Sequence, residues 1–232
     1  MKAFHNNPLT KVKYTNRLKD HYAADEIIQG KYWENGKGCA VGCTIHSGEH
    51  LAFETELGIP QVLARLEDSI FEGLPNKLAK EFPLQLLSAI NVGADLSKVW
   101  NYFAIWLLTD AEYGALLHLE NKKVVQDVAD AYLEDITMPV TVERWKELRD
   151  SAASYYGAYY AAASAADYAA NASTASSVAY YAYYATYYAT SATDYSAAAY
   201  ANATSYFADA DKKKYWYISA SQKLIELLTE TL

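Results

Sequence analysis

Positive charge is scarce in this chain of 232 residues: 20 Lys and Arg stand against 28 Asp and Glu, a formal net charge of −8. Nucleic acids and anionic membrane surfaces both select a positive footprint, so neither is expected as a partner. Cysteine is scarcer still. Cys39 and Cys43 are the only two, too few for a disulfide scaffold and expected as free thiols in a reducing cytoplasm. Long apolar runs are missing as well; the densest stretch, Tyr102–Leu108, falls far short of the roughly 20 residues a membrane helix needs. The opening carries Lys2, Lys11, Lys13, Arg17 and Lys19 without an acid, but no signal-peptide core follows it. A soluble, cytoplasmic protein is the expectation.

Proline and glycine give out part-way along. All five Pro lie at or before Pro139 and nine of ten Gly at or before Gly114, which places an expected boundary at 139–150. The residues before it, 1–140, read as a compact helical domain. Lys11–Ile28 is an expected first helix, and Gln29–Gly48, with five Gly, an expected loop in which Cys39–Ile45 could form a short strand. Glu49–Leu57 has a helical pattern stopped by Gly58. Pro60 suits a first helical position, and Val62, Leu63, Leu66, Ile70 and Phe71 make an amphipathic stripe ending at Gly73. Further helices are expected over Asn76–Ile90, Asp95–Leu108 with Asp95 as N-cap, and Lys122–Leu133. The acid pairs Asp25-Glu26 and Glu67-Asp68 read as solvated faces.

What the sequence has in excess is Ala and Tyr. Thr141 can cap a helix beginning at Val142, and between Ser151 and Asp211 there are 24 Ala and 14 Tyr, with Asp167 and Asp194 the only charges up to Ala208. Ala is the best helix former, so residues 141–211 are expected as one long helix or a helical hairpin, with an amphipathic helix over 212–232. From Ala158 through Ala161, Ala165 and Tyr168 to Ser196 the small residues recur at alternating spacings of three and four, the heptad seam of paired helices. Tyr155, Tyr159, Tyr180, Tyr184, Tyr187 and Tyr188 flank that seam. A solvated helix of such length normally carries many charges, so the seam is expected to meet protein, by folding back or by self-association. A strand-pairing low-complexity tail is the competing reading.

Reactive side chains concentrate between Gly38 and His50. Cys39, Cys43, His46 and His50 are all zinc-ligating types at separations of four, three and four. On one continuous helix they would span about 16 Å, beyond the reach of a single ion. A closed site would need Gly42 and Gly48 to fold the segment back. His46, Glu49 and His50 also match the H-x-x-E-H pattern of inverted zinc peptidases, with Gly48 interrupting it. Third, Cys39 after Gly38 could act as a thiol nucleophile with His21, His46 or His50 as its base. The bland alternative is a pair of buried structural thiols with surface histidines. No P-loop, dinucleotide glycine pattern or serine-nucleophile elbow is present.

Across Tyr32-Trp33-Glu34-Asn35-Gly36-Lys37-Gly38-Cys39-Ala40-Val41-Gly42-Cys43-Thr44, Glu56-Leu57-Gly58-Ile59-Pro60, Leu63-Ala64-Arg65-Leu66-Glu67-Asp68 and Ile70-Phe71-Glu72-Gly73-Leu74-Pro75, the chain resembles a group of uncharacterised bacterial and phage-encoded proteins that often trail an Ala-rich end. The resemblance covers roughly residues 1–145. It implies a bacterial or phage cytoplasmic setting and carries no catalytic roles with it. The sequence therefore leads to an all-α protein that binds protein, either itself or a host or phage protein, without catalysis. The alternative is a small metal- or thiol-dependent hydrolase built on the segment from Cys39 to His50.

Overall fold

Asn7 and Pro8 start the first helix: the Asn7 side chain accepts from the Leu9 amide at 3.0 Å, and proline occupies a first-turn position where its missing N–H is no loss. The computed structural model describes residues 1–118, 121–153 and 210–231, and the fold is all-α apart from one small two-stranded sheet. Its helices are α1 (Pro8–Ala23), α2 (Ala40–Ile45), α3 (Leu51–Leu57), α4 (Gln61–Gly73), α5 (Asn76–Ala89), α6 (Val99–Thr109), α7 (Lys122–Thr137), α8 (Val142–Ala153) and α9 (Ala210–Thr229). The antiparallel strands are β1 (Trp33–Glu34) and β2 (Lys37–Gly38).

Several boundaries depart from the expected ones for identifiable reasons. Helix α1 ends five residues before Ile28, because Asp25 turns the chain at φ +56 and the extended segment after it pairs with β2. Ile28 N–H donates to Gly38 O at 2.8 Å, Gly38 N–H donates to Glu26 O at 3.1 Å, and Ile27 becomes buried. The strand expected over Cys39–Ile45 is instead the fully buried helix α2. The extended pairing falls just before it, closed by Asn35 and Gly36, both at positive φ, the pair that a tight hairpin turn demands. Helix α6 starts at Val99 rather than Asp95. The Asp95 carboxylate accepts from Ser97 N–H in the preceding turn, where Lys2 bridges to Asp95 and Ala3 N–H donates to Ala94 O. Pro60 stands at the N-cap position of α4, one residue before the first helical position expected for it, and the stripe Val62, Leu63, Leu66, Ile70 and Phe71 is buried as its spacing requires.

The chain divides into two compact units. The first comprises Met1–Val99 with Ala220–Leu232, its core built around Phe4, Leu18, Ile27, Phe53, Leu57, Leu66, Phe71 and Phe82. Two helix ends in it are closed by side chains from elsewhere. Lys11 Nζ donates to the carbonyls of Ser88 and Ile90 at 2.9 and 2.7 Å, at the end of α5. Gln29 Nε2 donates to Phe71 and Leu74 carbonyls at 2.8 and 3.0 Å, at the end of α4.

The second unit comprises the described residues of Trp100–Ser219 and is held by aromatic side chains. Trp100 Nε1–H donates to the Tyr132 hydroxyl at 3.0 Å, the Tyr132 and Trp145 rings lie 4.8 Å apart, and Trp216 Nε1–H donates to Tyr113 O at 3.2 Å. Thr141 caps α8 as expected, its hydroxyl accepting from Arg144 N–H at 3.2 Å. The expected boundary at 139–150 falls inside this unit. Residues 154–209, with the Ala seam and Tyr155, Tyr159, Tyr180, Tyr184, Tyr187 and Tyr188, lie outside the described residues. Among the described residues no helix is long and apolar enough to cross a membrane.

The backbone of Tyr32 lies directly over α2. A Cβ placed on Gly42 would sit 1.7 Å from Tyr32 O, and one on Gly38 would sit 2.1 Å from it. Both neighbours are backbone, which cannot rotate away. Substituting Gly42→Ala is therefore expected to lower stability by about 3 kcal/mol, read as a fall in the midpoint of urea unfolding with an unchanged slope.

Candidate functional site

Both clusters of reactive side chains lie in the first unit, where the hairpin and α2 pack between α1 and α4. In the first cluster, Glu26 Oε2 lies 2.6 Å from His21 Nδ1, and His21 Nε2 lies 2.8 Å from His46 Nε2. The His46 ring is stacked on Trp33 with centroids 4.6 Å apart and planes 11° from parallel, while His21 meets both rings edge-on. His21 comes from the last turn of α1. His46 terminates α2 in the left-handed region at φ +56, and that conformation turns its ring back toward α1. Burial, reinforced by the Arg17 guanidinium and by His21, lowers the His46 pKa. Arg17 itself donates to Thr44 O at 2.9 Å.

In the second cluster, His50 Nε2 lies 3.4 Å from Asp68 Oδ2 and packs edge-on against Tyr32. Gly30, Lys31, Tyr32, Asp68 and Glu72 line a pocket of about 240 Å³. Glu72 accepts from Gly30 N–H through both oxygens, at 3.0 and 2.9 Å, and burial raises its pKa. Burial, with the Asp68 carboxylate next in weight, raises the phenol of Tyr32.

The two thiols are structural in their surroundings. Cys39 is the N-cap of α2, its Sγ accepting from Gly42 N–H at 3.4 Å, and it is 1 % exposed. Burial and then the neighbouring Asp68 charge push its pKa far up. Cys43 donates its S–H to Gly38 O at 3.3 Å, and burial pushes its pKa up to about 12. A thiol held in its protonated form is a poor nucleophile.

The four residues expected as a metal set are thus dispersed. Cys39 caps α2, Cys43 faces the β2 carbonyl, His46 pairs with His21, and His50 pairs with Asp68. Among the described residues no group of three or more His, Cys, Asp or Glu side chains is placed to hold a metal ion. The H-x-x-E-H residues share no helix, since His46 ends α2 and His50 immediately precedes α3, with Gly48 in the bend.

Sequence reasoning missed Tyr32, Trp33 and Glu72. It also misjudged Glu67, expected on a solvated face with Asp68. Glu67 is fully buried and neither carboxyl oxygen has a hydrogen-bond partner among the described residues. The signal was available: Glu67 stands four residues after Leu63 and three before Ile70, inside the apolar stripe.

Searches against protein-family models, curated proteins and solved structures find no match to this chain.

Two measurements follow. Cys39 and Cys43 are expected to react with an aromatic disulfide reagent at neutral pH only after denaturation; fast labelling of Cys39 in the native protein would contradict the burial described. Desolvation raises the Glu67 carboxyl well above its ordinary value, so the folded state binds a proton that the unfolded state releases. Stability then falls as pH rises past the ordinary carboxylate range, by up to about 1.4 kcal/mol per pH unit. Glu67→Met removes that slope and gains about 1–3 kcal/mol at neutral pH; the pH dependence of the wild-type minus variant difference in urea unfolding checks both sign and size.

Proposed function

We propose that this chain is a non-enzymatic protein-binding protein that assembles through its Ala/Tyr segment, with a second copy of itself as the partner the seam fits best. The observation that carries the reading is the near absence of charge from a stretch of 24 Ala and 14 Tyr, bounded on both sides by helices rooted in a core. Trp145, Leu148 and Ala152 of α8 are buried before the stretch, and Trp216 and Tyr217 of α9 are buried after it. A contact segment tethered at both ends loses less freedom on association than a free tail. Its Tyr side chains offer large contact area at low entropic loss, and a repeating seam of small residues is complementary to itself. The buried, protonated thiols weigh against the alternative of a thiol-dependent hydrolase.

Static light scattering of the full chain, beside a variant with residues 154–209 replaced by a short Gly/Ser linker, tests the reading. A mass that is a multiple of 25.8 kDa, falling to a monomer in the variant, is the expected result. A full chain that is already monomeric at tens of micromolar overturns it.

A further inference from the structure

We infer that His21 and His46, with Glu26 behind them, form a binding site for a divalent transition-metal ion of the zinc class. It is distinct from the set Cys39, Cys43, His46 and His50, of which it uses one member.

The geometry begins with Glu26. A carboxylate only accepts, so the 2.6 Å contact places a proton of His21 on Nδ1, and in the neutral imidazole the lone pair is then on Nε2. That lone pair is aimed at His46 Nε2, 2.8 Å away. The two imidazole nitrogens therefore face each other across 2.8 Å, and the first of them already carries the carboxylate that orients metal-bound histidines and strengthens their basicity. Without a metal, a single proton lies between the two nitrogens, on His46 when both rings are neutral. With both rings neutral, metal uptake shifts the His46 proton from Nε2 to Nδ1, its other tautomer, so that each Nε2 lone pair forms an M–N bond and no net proton is released.

Inserting the ion takes a local rearrangement. Zinc–nitrogen bonds of about 2.0–2.1 Å at a tetrahedral angle hold the two nitrogens about 3.3 Å apart, so the pair needs to open by about half an ångström and each ring to pivot by about 35° toward the ion. His46 can supply this, being exposed and at the end of a short helix. Its ring plane is meanwhile fixed by the stack on Trp33, and that of His21 by Glu26, so both ligands are oriented before the ion arrives. The exposed side of His46 leaves the remaining coordination positions to water. Among the titratable and charged groups facing His46, the carboxylates of Glu26 and Glu56 oppose the Arg17 guanidinium, and His21 is the facing imidazole. Nitrogen ligands with open water positions select zinc, cobalt, nickel or copper over magnesium and calcium.

The test is calorimetric titration of the untagged full chain with zinc chloride, repeated on three variants. His46→Asn keeps a residue that tolerates the left-handed conformation and removes the imidazole. Glu26→Gln leaves both imidazoles and removes the orienting carboxylate. His5→Ala is the control, since His5 bonds elsewhere, to Thr55 O. One zinc per chain is expected, weakened at least tenfold in His46→Asn, about 10- to 100-fold in Glu26→Gln, and unchanged in His5→Ala. A zinc-dependent shift of the His21 and His46 ring resonances in the wild type is the accompanying signature. Absence of binding up to millimolar zinc, or binding that survives His46→Asn undiminished in a variant whose circular dichroism is native, overturns the assignment.

Discussion

The seating of the Tyr32 main chain on Gly38 and Gly42 is the constraint on which the reactive part of the molecule depends. Only where both positions lack a Cβ can the Tyr32 carbonyl descend onto α2 and, with Lys31 O, receive the Cys39 N–H. That descent puts Tyr32 against His50 on one side and Trp33 against His46 on the other. The two clusters are thus two sides of one backbone approach, which is why Cys39, Cys43, His46 and His50, adjacent in sequence, end in separate surroundings. A segment that looks like a ligand set along the chain is divided by the strand laid across it.

Helix α4 carries the complementary load. Its inner face supplies the apolar stripe of the core, yet the same face contains Glu67, and the adjoining edge carries Asp68 and Glu72 toward the 240 Å³ pocket. Placing acids around a buried thiol raises the pKa values of both kinds of group, because each carboxylate disfavours any further negative charge nearby. The result is a region whose side chains favour their neutral forms: Cys39, Cys43, Tyr32, Glu67 and Glu72 are all shifted in that direction. The histidine pair on the opposite side of the hairpin is the place where lone pairs remain on offer.

Helices with strong periodicity and clear punctuation could be read from the sequence. The stripe Val62 to Phe71, the Gly58 stop and the Thr141 cap each rest on local chemistry and hold in the structure. Local chemistry failed where a distant partner decided. Ile27 and Ile28 left α1 to meet β2, and Asp95 was drawn into the turn that meets Lys2 and Ala3. The Asn35-Gly36 turn was a short-range signal for a hairpin, and it went unused because the glycines around it suggested only a loop. His21 and Glu26 could be named singly but not paired, since their meeting depends on the reversal at Asp25 and on the left-handed turn at His46. Residues 154–209 stay with the sequence alone.

Two of the five cations in the first 19 residues have main-chain partners at helix ends or beside them. Lys11 closes α5 through the carbonyls of Ser88 and Ile90, and Arg17 holds Thr44 O near the end of α2. The basic opening of the chain is in this respect internal carpentry more than an outward electrostatic face. Acetylation of Lys11 would remove the charged donor shared by these two carbonyls, and its effect would register as loosening of the α1–α5 pair, with little change in how the surface attracts ions.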